Sequence, residues 1–239
     1  ASVRSRTSML SPLLDYIKVH PDVPLDFISY HKYGGGTRDE KPPYDLDWDI
    51  DYVTAQLTAR DLPLRDIFVT EWNLTPVMDA KAGADSDTHR LAAGAAARLF
   101  NALQHPALTK VFYFAPLEGY RPPRIFNGDL GLLTINNHKK AVYSVFKLYA
   151  CLGDTILKTS FSGGDATNHA TYALRTKGAA RQKAVALIWN YSDQAVIANL
   201  TINQLPYGKT GHKMLATEYR VDANHANYYE DYRTGRRGY

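Results

Sequence analysis

The sequence predicts two regions: an α/β unit with parallel strands over residues 1–153, and an all-β domain, a β-sandwich, over residues 154–239. Three observations carry this reading. Up to about residue 150 the apolar positions switch between helical spacing and short β-branched runs. Their order is α-β-α-β-α-β-α, which calls for parallel strands joined by helical crossovers. After Gly153 helical spacing stops, and short apolar runs are cut by clusters of Gly, Asn, Asp and Pro. Within the first region, the run Ile67-Phe68-Val69-Thr70 ends abruptly in Glu71, flanked by Trp72 and Asn73. Parallel α/β folds place their chemistry at such strand ends.

Taken in order, Leu10, Leu13, Leu14 and Ile17 have helical spacing, and Pro21 and Pro24 close that helix before a strand at 26–30. A loop holding Gly34-Gly35-Gly36 and Pro42-Pro43 follows. A second helix runs from about Asp47 through Ile50, Val53 and Leu57, and Pro63 precedes the strand that ends at Glu71. A third begins near Ser86 or Asp87, either of which would cap it. It carries Leu91, Ala95 and Leu99 on one face and stops before Pro106. Residues 111–115 read as a third buried strand, and about 139–152 as a fourth helix after the loop Gly128-Asp129-Leu130-Gly131. The sandwich strands are expected at 155–158, 170–175, 183–190, 196–202 and 213–221.

Composition narrows the function. A chain of 239 residues, 45% hydrophobic and 22% charged, can bury a real core in one large or two smaller domains. The net charge of +4 comes from scattered Lys and Arg plus a basic tail at 233–237. With no basic stripe interleaved with aromatics, nucleic acid is not an expected partner. Cys151, the one cysteine, sits among Val145, Phe146, Leu148 and Leu152 and is expected to be a buried small hydrophobe. The most apolar segment, 91–100, contains Arg98 and is too short and mixed to span a bilayer, so a soluble chain is expected. The first six residues lack the apolar core of a signal peptide. Sequons at Asn73, Asn190 and Asn199 would permit glycosylation, and a secreted, periplasmic or lysosomal-type compartment is expected over the cytoplasm. The histidines are scattered, so no metal is expected. The Gly34–Gly36 loop lacks a following Lys-Ser/Thr and a helix start, so it reads as a rim loop, and no cofactor is expected.

Glu is rarely buried without a partner, so Glu71 has two readings. One is a strand-end salt bridge or helix-cap contact. The other is the nucleophile of a retaining glycosidase, with Trp72 and Asn73 shaping the sugar site. His31, one histidine without metal-spaced neighbours, reads by itself as a satisfied loop histidine, and Trp72 is either a sugar floor or a core aromatic.

Three segments carry a resemblance. They are Asp26-Phe27-Ile28-Ser29-Tyr30-His31-Lys32-Tyr33, then Val69-Thr70-Glu71-Trp72-Asn73, then Val111-Phe112-Tyr113-Phe114 followed by Gly128-Asp129-Leu130-Gly131-Leu132-Leu133. Together they resemble the last three βα units of glycoside hydrolase family 39, which includes β-xylosidases and α-L-iduronidases. Tyr219-Arg220-Val221-Asp222 with Asn224-His225-Ala226-Asn227 is similar to that family's end. The resemblance implies the C-terminal portion of a (β/α)8 TIM barrel followed by a β-sandwich, with a tail returning to the barrel. It implies a retaining O-glycoside hydrolase with a covalent glycosyl-enzyme intermediate on Glu71. His31 and Tyr33 would hold the nucleophile or sugar hydroxyls. Trp72, Asn73 and Glu118 would meet the carbohydrate substrate; Tyr120 would also touch it, and Arg121 and Arg124 would pair with an acidic sugar.

A barrel needs eight strands, and three precede the sandwich. The Asn-Glu-Pro stretch that supplies the family's general acid does not occur in this sequence. The expected partner is a second polypeptide or chain segment carrying the first five strands, with a higher oligomer allowed; Glu40 and Glu118 are the weaker substitutes for the acid. The alternative function is a non-catalytic structural or carbohydrate-binding protein derived from the same fold.

Overall fold

The computed structural model describes residues 9–33, 46–74, 86–119, 125–153, 155–160, 162–163, 171–176, 183–192, 194–203 and 215–236. The first region runs α1 (Leu10–Val19), β1 (Phe27–Tyr33), α2 (Leu46–Thr58), β2 (Asp66–Asn73), α3 (His89–Gln104), β3 (Leu108–Tyr113) and α4 (Ala141–Ala150). Its three strands form one parallel sheet in the order β1-β2-β3. Each helix gives the sheet the face that its spacing predicts. Leu10, Leu14 and Ile17 of α1, Ile50, Val53 and Leu57 of α2, and Leu91, Ala95 and Leu99 of α3 are all buried. Leu13 is an exception and faces outward. The helix side of the sheet adds Ile28, Tyr30, Ile67, Val69 and Trp72 to the same core.

Several boundaries differ from expectation. The N-cap of α3 is Thr88, whose Oγ1 accepts from the Arg90 backbone N–H at 3.2 Å; Asp87 is occupied by an ion pair with Lys140 instead. β3 begins three residues earlier than predicted, because its ladder to β2 starts at Leu108 opposite Ile67. It is an edge strand with Thr109, Lys110 and Phe112 exposed, not a buried one. Cys151 is exposed, against expectation. It lies six residues past the buried Val145, which at 100° per residue puts it about 120° round the axis of α4.

The opposite face of the sheet is uncovered among the described residues. Phe27 and Phe68 meet there with ring centroids 5.1 Å apart, and Phe27 and Phe112 remain 51% and 49% exposed. β1 and β3 are both open edges of this sheet, so the described residues hold a three-stranded α/β unit and not a closed barrel.

Among its described residues the second region holds one sheet, β4 (Thr155–Ile156), β5 (Thr171–Thr176) and β6 (Lys183–Ile188), antiparallel in that order. The further strands expected at 196–202 and 213–221 are not present among the described residues, so no second sheet completes a sandwich there. Ile197 and Leu215 are each 92% exposed: an apolar run without a ladder partner or a packed face does not make a strand. The sheet is joined to the first region through Leu187 and Trp189, both buried, with the Trp189 ring 5.1 Å from Phe100 of α3. Gly94 makes this approach possible, since a Cβ there would lie 2.8 Å from Cε2 of Tyr191 and 2.7 Å from Cδ1 of Leu74. The short helix α5 (Tyr228–Arg233) returns to the loop after β3, where Phe126 meets Tyr229 and Tyr232 at 5.7 and 5.4 Å.

Candidate active site

Strand alternation puts His31 and Tyr33 on the uncovered face of β1, while Tyr30 is buried on the helix side and Lys32 reaches Asp49 of α2 at 2.7 Å. On β2 the alternation is interrupted. Tyr30 pairs with Val69 and His31 with Glu71, which leaves Thr70 as one extra residue, a β-bulge. The Thr70 hydroxyl donates to the Tyr30 carbonyl at 3.3 Å and so satisfies the backbone where the ladder skips. The bulge lets Val69 and Trp72, three positions apart, both enter the helix-side core. Glu71 stands on the uncovered face beside His31 and Tyr33.

Tyr33 Oη donates to Glu71 Oε2 at 2.5 Å, and His31 Nδ1 lies 3.1 Å from the same oxygen. The Glu71 side chain is 30% exposed, so water or a ligand reaches it. Burial, reinforced by the hydrogen bond to Glu71 and by its charge, pushes the Tyr33 phenol above its usual range. The phenol therefore remains a proton-bearing donor to the carboxylate. Its ring meets Phe114 edge-on at 5.9 Å, just past the end of β3. An accessible carboxylate, oriented through one oxygen by a phenol and an imidazole, is equipped to act as a nucleophile or a base.

The other predicted site residues lie elsewhere. Trp72 is fully buried in the core, edge-on to Tyr113 at 5.0 Å. A sugar platform needs an exposed ring face, so Trp72 is a core aromatic and not a sugar floor. Asn73 is also fully buried; its Nδ2 donates to the Phe114 carbonyl at 2.8 Å and the Leu130 carbonyl at 3.4 Å. It ties β2 to the chain after β3 and offers neither a sugar contact nor a glycosylation acceptor. Glu118 is buried against Lys140, with Oε2 2.8 Å from Nζ, and does not reach a substrate. Gly34–Gly36, Glu40, Tyr120, Arg121 and Arg124 lie outside the described residues. Among the described residues no group of three or more His, Cys, Asp and Glu side chains is placed to hold a metal ion.

Sequence reasoning missed Lys140 and Arg98. Lys140 precedes α4 and is fully buried; its Nζ lies 2.6 Å from Asp87 Oδ1 and 2.8 Å from Glu118 Oε2, and donates to the Asp129 carbonyl at 2.7 Å. One ammonium thus fastens the segment before α3 to the loop after β3. Burial raises the Glu118 carboxyl above its ordinary range, against the opposing pull of Lys140. Gly131 is required here, because a Cβ would fall 2.4 Å from both the Glu118 nitrogen and the Leu133 carbonyl oxygen. Nothing local in the sequence distinguishes Lys140 from a surface lysine beside Lys139.

No protein-family model matches the chain, and no curated protein matches it. Solved structures do. The GH39 enzyme of Xanthomonas axonopodis pv. citri superposes with a TM-score of 0.59 at 20% identity, over 79% of this chain and 37% of that one. A monomeric β-xylosidase from Caulobacter crescentus CB15 gives 0.55 at 21% identity, over 71% and 35%. A glucosidase from Croceicoccus marinus gives 0.53 at 24%, over 70% and 33%. These likenesses show a GH39-like fold, and the chain spans about a third of the length of the proteins it matches.

Proposed function

We propose that this chain is the C-terminal part of a retaining glycoside hydrolase in which Glu71 is the nucleophile. The observation that carries the reading is the accessible Glu71 carboxylate at the C-terminal end of β2, gripped through Oε2 by Tyr33 and His31 from the neighbouring strand. In the first step a Glu71 oxygen attacks the anomeric carbon, the glycosidic bond breaks, and the leaving oxygen takes a proton from a general acid. Water then attacks the glycosyl ester on Glu71 with that acid now acting as base. Retention needs a second carboxyl about 5–5.5 Å away. Glu118 is committed to Lys140, so the acid comes from a second polypeptide or adjoining segment that carries the first five barrel strands. The uncovered Phe27, Phe68 and Phe112 face and the open edges of β1 and β3 support that completion.

The test uses the chain assembled with that segment and a panel of aryl xyloside, iduronide, glucoside, galactoside and arabinoside. Xyloside is the first choice, because a solved structure of similar fold is a β-xylosidase. An activated 2-fluoro xyloside, or its counterpart for the sugar that turns over, should form a covalent adduct on Glu71. Peptide mapping that finds the adduct on another residue overturns the reading, as does a Glu71→Gln variant with wild-type rates.

A further inference from the structure

We propose that Arg98 is a positioning residue for the Glu71 carboxylate, an inference that rests on the glycosidase reading above. Arg98 lies on α3, on the helix side of the sheet, and is fully buried, with the small residues Gly94, Ala95, Ala96, Ala97 and Ala102 nearby on the same helix. A fully buried Arg is rare, so the site has a use for it. Those small neighbours leave the guanidinium room to reach the end of β2. There Nη1 donates to the Asn73 carbonyl at 3.2 Å, and the guanidinium carbon sits 5.8 Å from the centre of the Trp72 ring. Arg98 thus touches both residues that directly follow Glu71.

This contact falls where the sheet itself gives least support. The β2–β3 register slips between Val69 and Trp72, so the ladder to β3 does not set the orientation of Glu71. The ladder to β1 resumes only after the Thr70 bulge. Beside its pairing with His31 of β1, the orientation of Glu71 is set by what anchors its successors: the Trp72 ring in the core, Asn73 clamped to Phe114 and Leu130, and Arg98 holding both from behind. A guanidinium can hydrogen-bond in its plane while its face or edge packs on a ring; an ammonium does only the first well. Arg98 reaches no substrate, since it stands on the other side of the sheet from the Glu71 carboxylate.

The experiment compares Arg98→Lys, Arg98→Met and Leu57→Ala, a buried residue of α2 that serves as a control for plain destabilisation, in the intact assembly. The readouts are Tm, kcat and KM on the aryl xyloside (or the panel sugar that turns over), and the rate of covalent labelling by the matching 2-fluoro glycoside. A misplaced nucleophile should lower kcat and the labelling rate together, about 100-fold for Arg98→Met and about tenfold for Arg98→Lys, with KM within about threefold. Leu57→Ala should lower Tm while kcat per folded molecule stays at wild type. Arg98 variants with wild-type kcat and labelling rate overturn the proposal, as does a loss in Leu57→Ala that matches theirs at equal Tm. If Arg98→Met fails to fold, Arg98→Lys decides alone. An adduct on a residue other than Glu71 refutes the parent reading instead, whatever the Arg98 variants do.

Discussion

Glu71 stands at the end of β2 and Glu118 beyond the end of the neighbouring β3; Glu71 is bound through Oε2 by Tyr33 at 2.5 Å, and Glu118 through Oε2 by Lys140 at 2.8 Å and through Oε1 by the Ile135 backbone N–H at 3.3 Å. From sequence each is an acid that follows a short apolar run, β-branched before Glu71 and aromatic-rich before Glu118. Their settings are opposite. Glu71 is open to solvent on the uncovered face, and its partners are a phenol and an imidazole. Glu118 is sealed with a fixed ammonium and a second carboxylate, Asp87. A carboxylate meant for chemistry must be reachable and able to give up its contacts during reaction. One that joins loops must be sealed with a partner that cannot leave, and this difference separates the two roles better than strand-end position does.

The largest effect that tests this contrast is the loss of turnover. Glu71→Gln in the intact assembly should lower kcat by on the order of 10⁴-fold or more, as removal of a nucleophile does elsewhere, with Tm little changed. Glu118→Gln should keep kcat within a few-fold, and if it abolishes turnover while folded, the contrast collapses. Tyr33→Phe sits between them. Loss of one donor to a reacting oxygen should cost about 10²-fold in kcat while stability drops by only about 0.5–1.5 kcal/mol.

Stability should respond in the opposite order. Lys140→Met leaves Asp87 and Glu118 buried beside each other without their cation, and urea unfolding should show a loss of about 3–5 kcal/mol. Trp72→Ala should cost about as much, 3–5 kcal/mol, because it empties the centre of the core.

The smallest effect is one of pH. Glu118 holds its proton more tightly when folded than when unfolded, because burial raises its carboxyl. Its contribution to stability is therefore full below its ordinary value of 4.5 and is lost as pH rises through the raised folded value. Glu118→Gln cannot ionise and escapes that loss. It should gain on wild type as pH rises from 4 to 7 in parallel unfolding titrations; a difference that shrinks over this range contradicts the assignment.

The alternation of helix and strand was legible because helical spacing and β-branched runs are local signals, and Ile50, Val53 and Leu57 or Leu91, Ala95 and Leu99 fall on the buried faces that the spacing predicts. The meeting of His31 and Tyr33 with Glu71 was legible only through the family resemblance, and the paired strand ends bring the three together. The Thr70 bulge was not, because Thr is as ordinary in a strand as in a bulge, and without the bulge the burial of Trp72 cannot be assigned. The Lys140 cluster joins residues from two connections, β2–α3 and β3–α4, and no local pattern announces such a meeting. At 196–202 the apolar spacing suggested a strand, but a strand exists only when another backbone completes its hydrogen bonds.

The single extra residue at position 70 decides which way the end of β2 faces. Replacing Thr70 forfeits at most its hydroxyl contact with the Tyr30 carbonyl. Were Thr70 taken into the ladder to β1, alternation would be strict from Val69 onward and every side chain beyond that point would change sides. Glu71 would then turn into the helix layer and Trp72 out to the open face. Glu71 keeps to the open face as long as the residue between it and Val69 stays out of the pairing.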